Sequence, residues 1–128
     1  MQMTATSAVI GTGTPTFATG AVEGDIVHVT SPVEVLDLLD DTARVPGLVL
    51  LIDEPGATFL SPLLLAGPRA VVCTAGTPKS HLGIVTREFD IPCVMGVALT
   101  GPLPDGTRVE IVFDDAEHAT IRALGAGS

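Results

Sequence analysis

Residues 79–81 read Lys-Ser-His, and they stand just ahead of an apolar-periodic run, "LGIVTREF", that leads to Pro92. Ser is a favoured N-cap, so a helix is expected to begin near Ser80, with His81 in its first turn. Unpaired backbone N–H groups and the positive end of the helix dipole favour an anion at that place. Lys79 and the hydroxyls of Thr74 and Thr77 add donors on the same turn. The positive field also favours a neutral imidazole, whose ring nitrogen is then a nucleophile toward phosphorus. Nucleophilic serine chemistry is a poor alternative, because side chains of adjacent residues at a helix start point in different directions. Local physics therefore leaves two readings of His81, a phosphoryl-accepting nucleophile or a surface residue of a helix start.

Other groups are weaker. "GTGTPT" (11–16) follows a short apolar strand, but Thr16 occupies the third glycine position of a dinucleotide loop and no amphipathic helix follows, so a plain turn is expected. His28 and His118 lie far apart without an i, i+4 partner, and each is expected on a strand face or the surface; no metal site is assigned. Asp40/Asp41 and Asp114/Asp115 read as solvated charges. Asp53 and Glu54 follow an apolar strand, where α/β sheets place ligands, and are secondary candidates. Cys73 and Cys93 sit in apolar runs without CxxC spacing and read as reduced packing residues, as expected of a cytoplasmic protein.

Several function classes are disfavoured by composition. Fifteen acidic residues against six basic give a formal charge of −9, which repels nucleic acid and anionic membrane surfaces. The chain has no Trp or Tyr and four Phe, too few aromatic platforms for stacking bases or sugars. No segment has the length and apolarity of a membrane span, and the N-terminus lacks the pattern of a signal peptide. At 128 residues, without a composition shift or repeat, one domain covering 1–128 is expected.

The elements that must hold the Lys-Ser-His turn are legible as Val- and Ile-rich runs near 8–10, 21–29, 48–52, 70–73, 93–97, 107–113 and 118–124. Helices are expected after Ser31, with Pro32 at the first helical position, over 58–66, with Pro62 near its first turn, and after Ser80. Between 45 and 97 the order is strand, helix, strand, helix, strand, which implies an α/β arrangement. The expected class is α/β, with mixed sheets in a barrel-like core and helices packed outside.

The stretch "G-TPKSHLGIVTREFDIPCVMGV", followed by "LPDGTRVEIVFD", resembles the mobile phosphohistidine domain of the phosphoenolpyruvate-utilising enzymes. That family's pattern is G-G-x-T-S-H-x-x-I-x-A-R-E-x-x-I-P-x-V-x-G, then D-G-x-x-V-x-V. Gly76, Ser80, His81, Ile84, Arg87, Glu88, Ile91, Pro92, Val94, Gly96, Asp105, Gly106 and Val109 match it with the spacing intact. "GTPTFATGAV" and residues 48–76 are similar to the family's opening and its lead-in to the histidine. The departures are Thr77 for the second glycine and Lys79 for the threonine two places before the histidine.

The resemblance implies a swivelling β/β/α domain. His81 would take phosphoryl from an ATP- or phosphoenolpyruvate-dependent partner and pass it on, with Thr74, Thr77, Lys79, Ser80 and Arg87 as phosphate-binding candidates. It further implies that this domain binds no cofactor itself, and that Mg²⁺ with ATP or phosphoenolpyruvate belongs to the partners. Those partners would be an ATP-grasp nucleotide-binding domain or chain and a phosphoryl-acceptor or phosphoenolpyruvate-binding one. The starting Met and the short "GAGS" end favour a free-standing carrier, a phosphotransferase component incomplete alone. The competing readings are a non-phosphorylated swivelling small subunit, as in aconitase-X-like dehydratases, and a degenerate binding module.

Overall fold

A computed structural model describes residues 7–16, 20–29, 31–53, 61–77, 79–101 and 103–124. Among the described residues, seven strands and three helices follow in the order β1 (Ser7–Pro15), β2 (Ala21–His28), α1 (Pro32–Leu39), β3 (Leu48–Ile52), α2 (Ser61–Leu65), β4 (Ala70–Cys73), α3 (His81–Glu88), β5 (Cys93–Leu99), β6 (Arg108–Phe113) and β7 (Ala119–Leu124). A 3-10 turn at Val45–Gly47 leads into β3. The strands close into a barrel in the order β1-β5-β4-β3-β2-β6-β7. β2, β3, β4 and β5 are mutually parallel, while β1, β6 and β7 complete the ring with antiparallel pairings. This mixed α/β barrel agrees with the expected class.

Parallel strands joined by helical crossovers are covered on both faces, and their sequences are correspondingly apolar throughout. Every residue of "LVLLI" in β3 and of "AVVC" in β4 is buried. Alternate positions then serve two cores. One cluster unites Val22, Ile26, Val49, Leu51, Val72, Val94, Val109, Ile111 and Ile121, the inward positions of the barrel. The other joins Leu48, Leu50, Ile52, Val71, Cys73, Cys93 and Met95 to the helix residues Val35, Leu38, Leu63, Leu64 and Leu82. β6 alternates buried and more open positions, as a strand covered on one face does.

The local signals of α1 act as expected: Ser31 is its N-cap, Pro32 its first residue, and the Ser31 N–H donates to Glu34 Oε1 at 3.1 Å. α2 begins at Ser61, with Pro62 in its first turn; the start expected at 58 lies outside the described residues.

One expectation is corrected. "GTGTPT" is not a turn: Gly11–Pro15 is the second half of β1, paired with both β5 and β7. Its glycines answer to a neighbour rather than to a turn. A Cβ on Gly13 would lie 2.7 Å from Val94 Cγ1, 2.8 Å from the Met95 carbonyl oxygen and 2.8 Å from Val97 Cγ2. The close approach follows from a bulge on β5: Thr12 pairs with Ala98 and Thr14 with Met95, so Gly96 and Val97 together oppose Gly13.

Candidate functional site

The crossover from β4 to α3 carries the candidate residues. β4 ends at Cys73, and the Thr74 N–H donates to the Ile52 carbonyl at 3.0 Å, so the chain leaves the barrel beside the end of β3. Gly76, at φ +81°, reverses the backbone, a conformation that glycine adopts without a Cβ penalty. The turn then closes through three hydrogen bonds. Ser80 N–H donates to the Thr77 carbonyl at 2.8 Å, Thr77 N–H donates to Ser80 Oγ at 2.9 Å, and Lys79 N–H donates to Thr77 Oγ1 at 3.2 Å.

Ser80 occupies the N-cap position of α3, but its hydroxyl does not cap the helix. It accepts from Thr77 instead, turned back into the loop. The first-turn N–H groups of α3 are left without a side-chain acceptor from Ser80, and the first turn contains no acidic residue. These donors and the dipole favour an external anion at this helix start. His81 is the first residue of α3 and is exposed, as are Lys79 and Thr77. Leu82 and Gly83 are buried beneath it, and Thr86, fully buried, donates its hydroxyl to the Leu82 carbonyl at 2.9 Å. Thus the ring of His81 faces solvent from a helix whose other side is anchored in the core.

The turn brings Thr77, Lys79 and Ser80 into direct contact with one another. Arg87 lies in the last turn of α3, six residues after His81, roughly 9 Å further along the axis and about 120° around it. Neither Lys79 nor Arg87 forms an ion pair with a described residue. Thr74 is half-buried and, with His28, Leu51, Ile52 and Asp53, lines a cavity of about 250 Å³ at the C-terminal ends of β2, β3 and β4. Asp53 is exposed there, and Glu54 lies outside the described residues.

Sequence reasoning missed a pairing at this rim. The His28 N–H donates to Asp105 Oδ1 at 2.8 Å, and His28 Nδ1 lies 3.4 Å from the same oxygen. Asp105 stood out only as a match to the family pattern, and the partner of its carboxylate stands 77 residues away. His118 is exposed, with Nδ1 2.9 Å from Asp115 Oδ1. The Glu117 N–H and then His118 hold the Asp115 carboxyl below its ordinary range. Among the described residues, no group of three or more His, Cys, Asp or Glu side chains stands close enough to hold a metal ion.

Both cysteines are buried, and neither is joined in a disulfide. Burial pushes Cys93 up to about 12, against the opposing hydrogen bond of Thr86.

Comparison with known proteins agrees with the resemblance. The family model "PEP-utilising enzyme, mobile domain" matches residues 44–112, more than half of the chain, and the chain belongs to that family. Uncharacterized proteins of Mycobacterium tuberculosis strain H37Rv (Rv2047c) and Mycobacterium bovis (Mb2073c) are each 36% identical over 67 residues, 52% of this chain. The aligned stretch covers only 8% of those proteins. Muramoyltetrapeptide carboxypeptidase from Oxalobacter formigenes is similar to 98% of this chain and over 53% of its own, with a TM-score of 0.48 and 15% identity, a likeness that carries no functional argument. No helix among the described residues is long and apolar enough to cross a membrane.

Proposed function

We propose that the chain is a swivelling phosphoryl carrier, its helices laid outside the barrel, and that His81 is the residue phosphorylated. The observation that carries the reading is the exposed His81 at the start of α3, inside the matched family region, with the Ser80 hydroxyl turned away from the helix N–H groups. A ring nitrogen of neutral His81 directs its lone pair at phosphorus. The P–N bond forms as the donor's P–O bond breaks, and the leaving oxygen keeps the bonding pair. The N–H proton on the other ring nitrogen passes to solvent if the product is neutral at the ring. Return transfer to an acceptor oxygen reverses these changes.

In this reading, Thr77, Ser80 and Lys79 cradle the phosphoryl oxygens. Lys79 supplies a charge-assisted contact where the family pattern has a hydroxyl. Thr74 steadies the turn from the end of β4, and Arg87 engages the partner or the phosphoryl group from the far end of α3. Mg²⁺, with ATP or phosphoenolpyruvate, belongs to the partner's site, an ATP-grasp or phosphoenolpyruvate-binding domain or chain. The reading places the protein in the cytoplasm, where those donors are found. Tethering to such partners would raise their effective concentration, whereas separate chains would depend on encounter.

The test supplies the nucleotide-binding partner with γ-labelled ATP, or the phosphoenolpyruvate-binding partner with labelled phosphoenolpyruvate. Acid-labile, base-stable label is expected on the chain and absent from His81→Ala. Label that survives the substitution overturns the assignment. Co-purification with a large dehydratase subunit and no label would favour the non-phosphorylated alternative.

A further inference from the structure

The glycine at 96 stands outside the candidate turn and yet touches it. The β5 bulge reverses strand alternation: Val94 and Val97 both point into the barrel, and Gly96 is exposed between Met95 and Val97. Gly96 has φ +62°, and a Cβ built on it would stand 3.1 Å from the Gly76 carbonyl oxygen. That oxygen belongs to the Gly76–Thr77 peptide, and the N–H of the same planar unit donates to Ser80 Oγ at 2.9 Å. Movement of the carbonyl therefore tilts the donor that holds Ser80.

From this we infer that Gly96 is a positioning residue for His81, and that Gly13 makes its position possible. The inference rests on the carrier reading above and adds to it the strand that sets the turn. Without a side chain at 96, the Gly76–Thr77 peptide rests against the bulge. Its N–H keeps the Ser80 hydroxyl in the loop, and the first-turn N–H groups of α3 stay available to phosphoryl oxygens. Gly13 supplies the space beneath, since β5 crosses it closely enough to exclude a Cβ. Gly13 of "GTGTPT" thus serves the phosphoryl turn from the neighbouring strand rather than binding a nucleotide.

Backbone strain and contact can be separated by substitution. Gly96→Ala introduces both a strained φ and the Cβ contact. Gly96→Asn tolerates the positive φ better but keeps the Cβ. Gly106, at φ +90° with nothing within 4 Å of a built Cβ, gives strain without contact in Gly106→Ala. Each protein is treated with potassium phosphoramidate, a small donor that needs no partner, and phosphate at His81 is followed by ³¹P NMR and mass spectrometry. In this step a ring nitrogen bonds to phosphorus as the P–N bond to ammonia breaks and ammonia departs.

Loading of His81 is expected to fall about tenfold in both Gly96 variants, the scale on which small misplacement of a reacting group is felt. Gly106→Ala should load as the unsubstituted chain does. Amide resonances of Thr77 and Ser80 should shift in the Gly96 variants and stay in place in Gly106→Ala. Unchanged loading and unchanged Thr77 and Ser80 resonances in folded Gly96→Asn overturn the inference. If the unsubstituted chain takes no phosphate at His81, the carrier reading fails, and the two amide resonances alone decide whether Gly96 sets the turn.

Discussion

Gly13→Ala puts the packing of the barrel to a direct test. The added methyl would enter three contacts of 2.7–2.8 Å, one with a backbone oxygen and two with the buried side chains of Val94 and Val97. The side chains can give by rotation, but the Met95 carbonyl can move only with β5. Insertion of a methyl into a packed core costs about 1–3 kcal/mol, and the rigid backbone neighbour places this substitution near the upper end, about 3 kcal/mol. For a chain of this size, such a loss lowers the melting temperature by about 10 °C. Thermal unfolding followed by circular dichroism measures it, with Thr12→Ala on the exposed face of the same strand as the reference, expected within about 0.5 kcal/mol of the unsubstituted chain. If Gly13→Ala melts within a degree or two of Thr12→Ala, β5 does not cross β1 as described, and the argument from the bulge fails with it.

Other expectations follow from neighbouring contacts. Leu63 is fully buried and Leu65 is 73% exposed, so Leu63→Ala should cost about 2–5 kcal/mol and Leu65→Ala less than about 0.5 kcal/mol, read from denaturant midpoints. Cys93, at about 12 in the folded chain, keeps its proton in the range where an unfolded thiol ionises. The folded state then binds more protons than the unfolded one, so the Cys93 contribution to stability should be constant below about pH 8.5 and fall by up to about 1.4 kcal/mol per pH unit between there and 12. Both thiols should react with a disulfide reagent at pH 8 only after unfolding, and prompt reaction of native protein would contradict their burial. Asp105→Ala removes the acceptor of the His28 N–H and should lower stability by about 1 kcal/mol while shifting the His28 amide resonance.

Much of the architecture was legible because it depends on neighbours along the chain. Continuous apolar runs at 48–52 and 70–73 marked strands, and Ser31 with Pro32 marked the start of α1. The spacing from Gly76 to Gly96 carried the family resemblance, and the matched region contains it. Ser80 was legible as an N-cap by position, but not the direction of its hydroxyl, because the competing donor on Thr77 depends on how Gly76 turns the loop. "GTGTPT" misled for a related reason. Glycines at close spacing commonly mark a turn, yet the constraint on Gly13 comes from Val94, Met95 and Val97, about eighty residues away in sequence.

By itself the sequence determined the apolar central strands, the starts of α1 and α3 and the place of His81 in a first turn, since each follows from residue type and spacing within a few positions. Tertiary structure alone decided closure of the barrel, the bulge that seats Gly76 against Gly96, and the pairing of His28 with Asp105. Those features arise where strands distant in the chain meet, and the shape of one side chain's surroundings there is set by backbone that local periodicity does not encode.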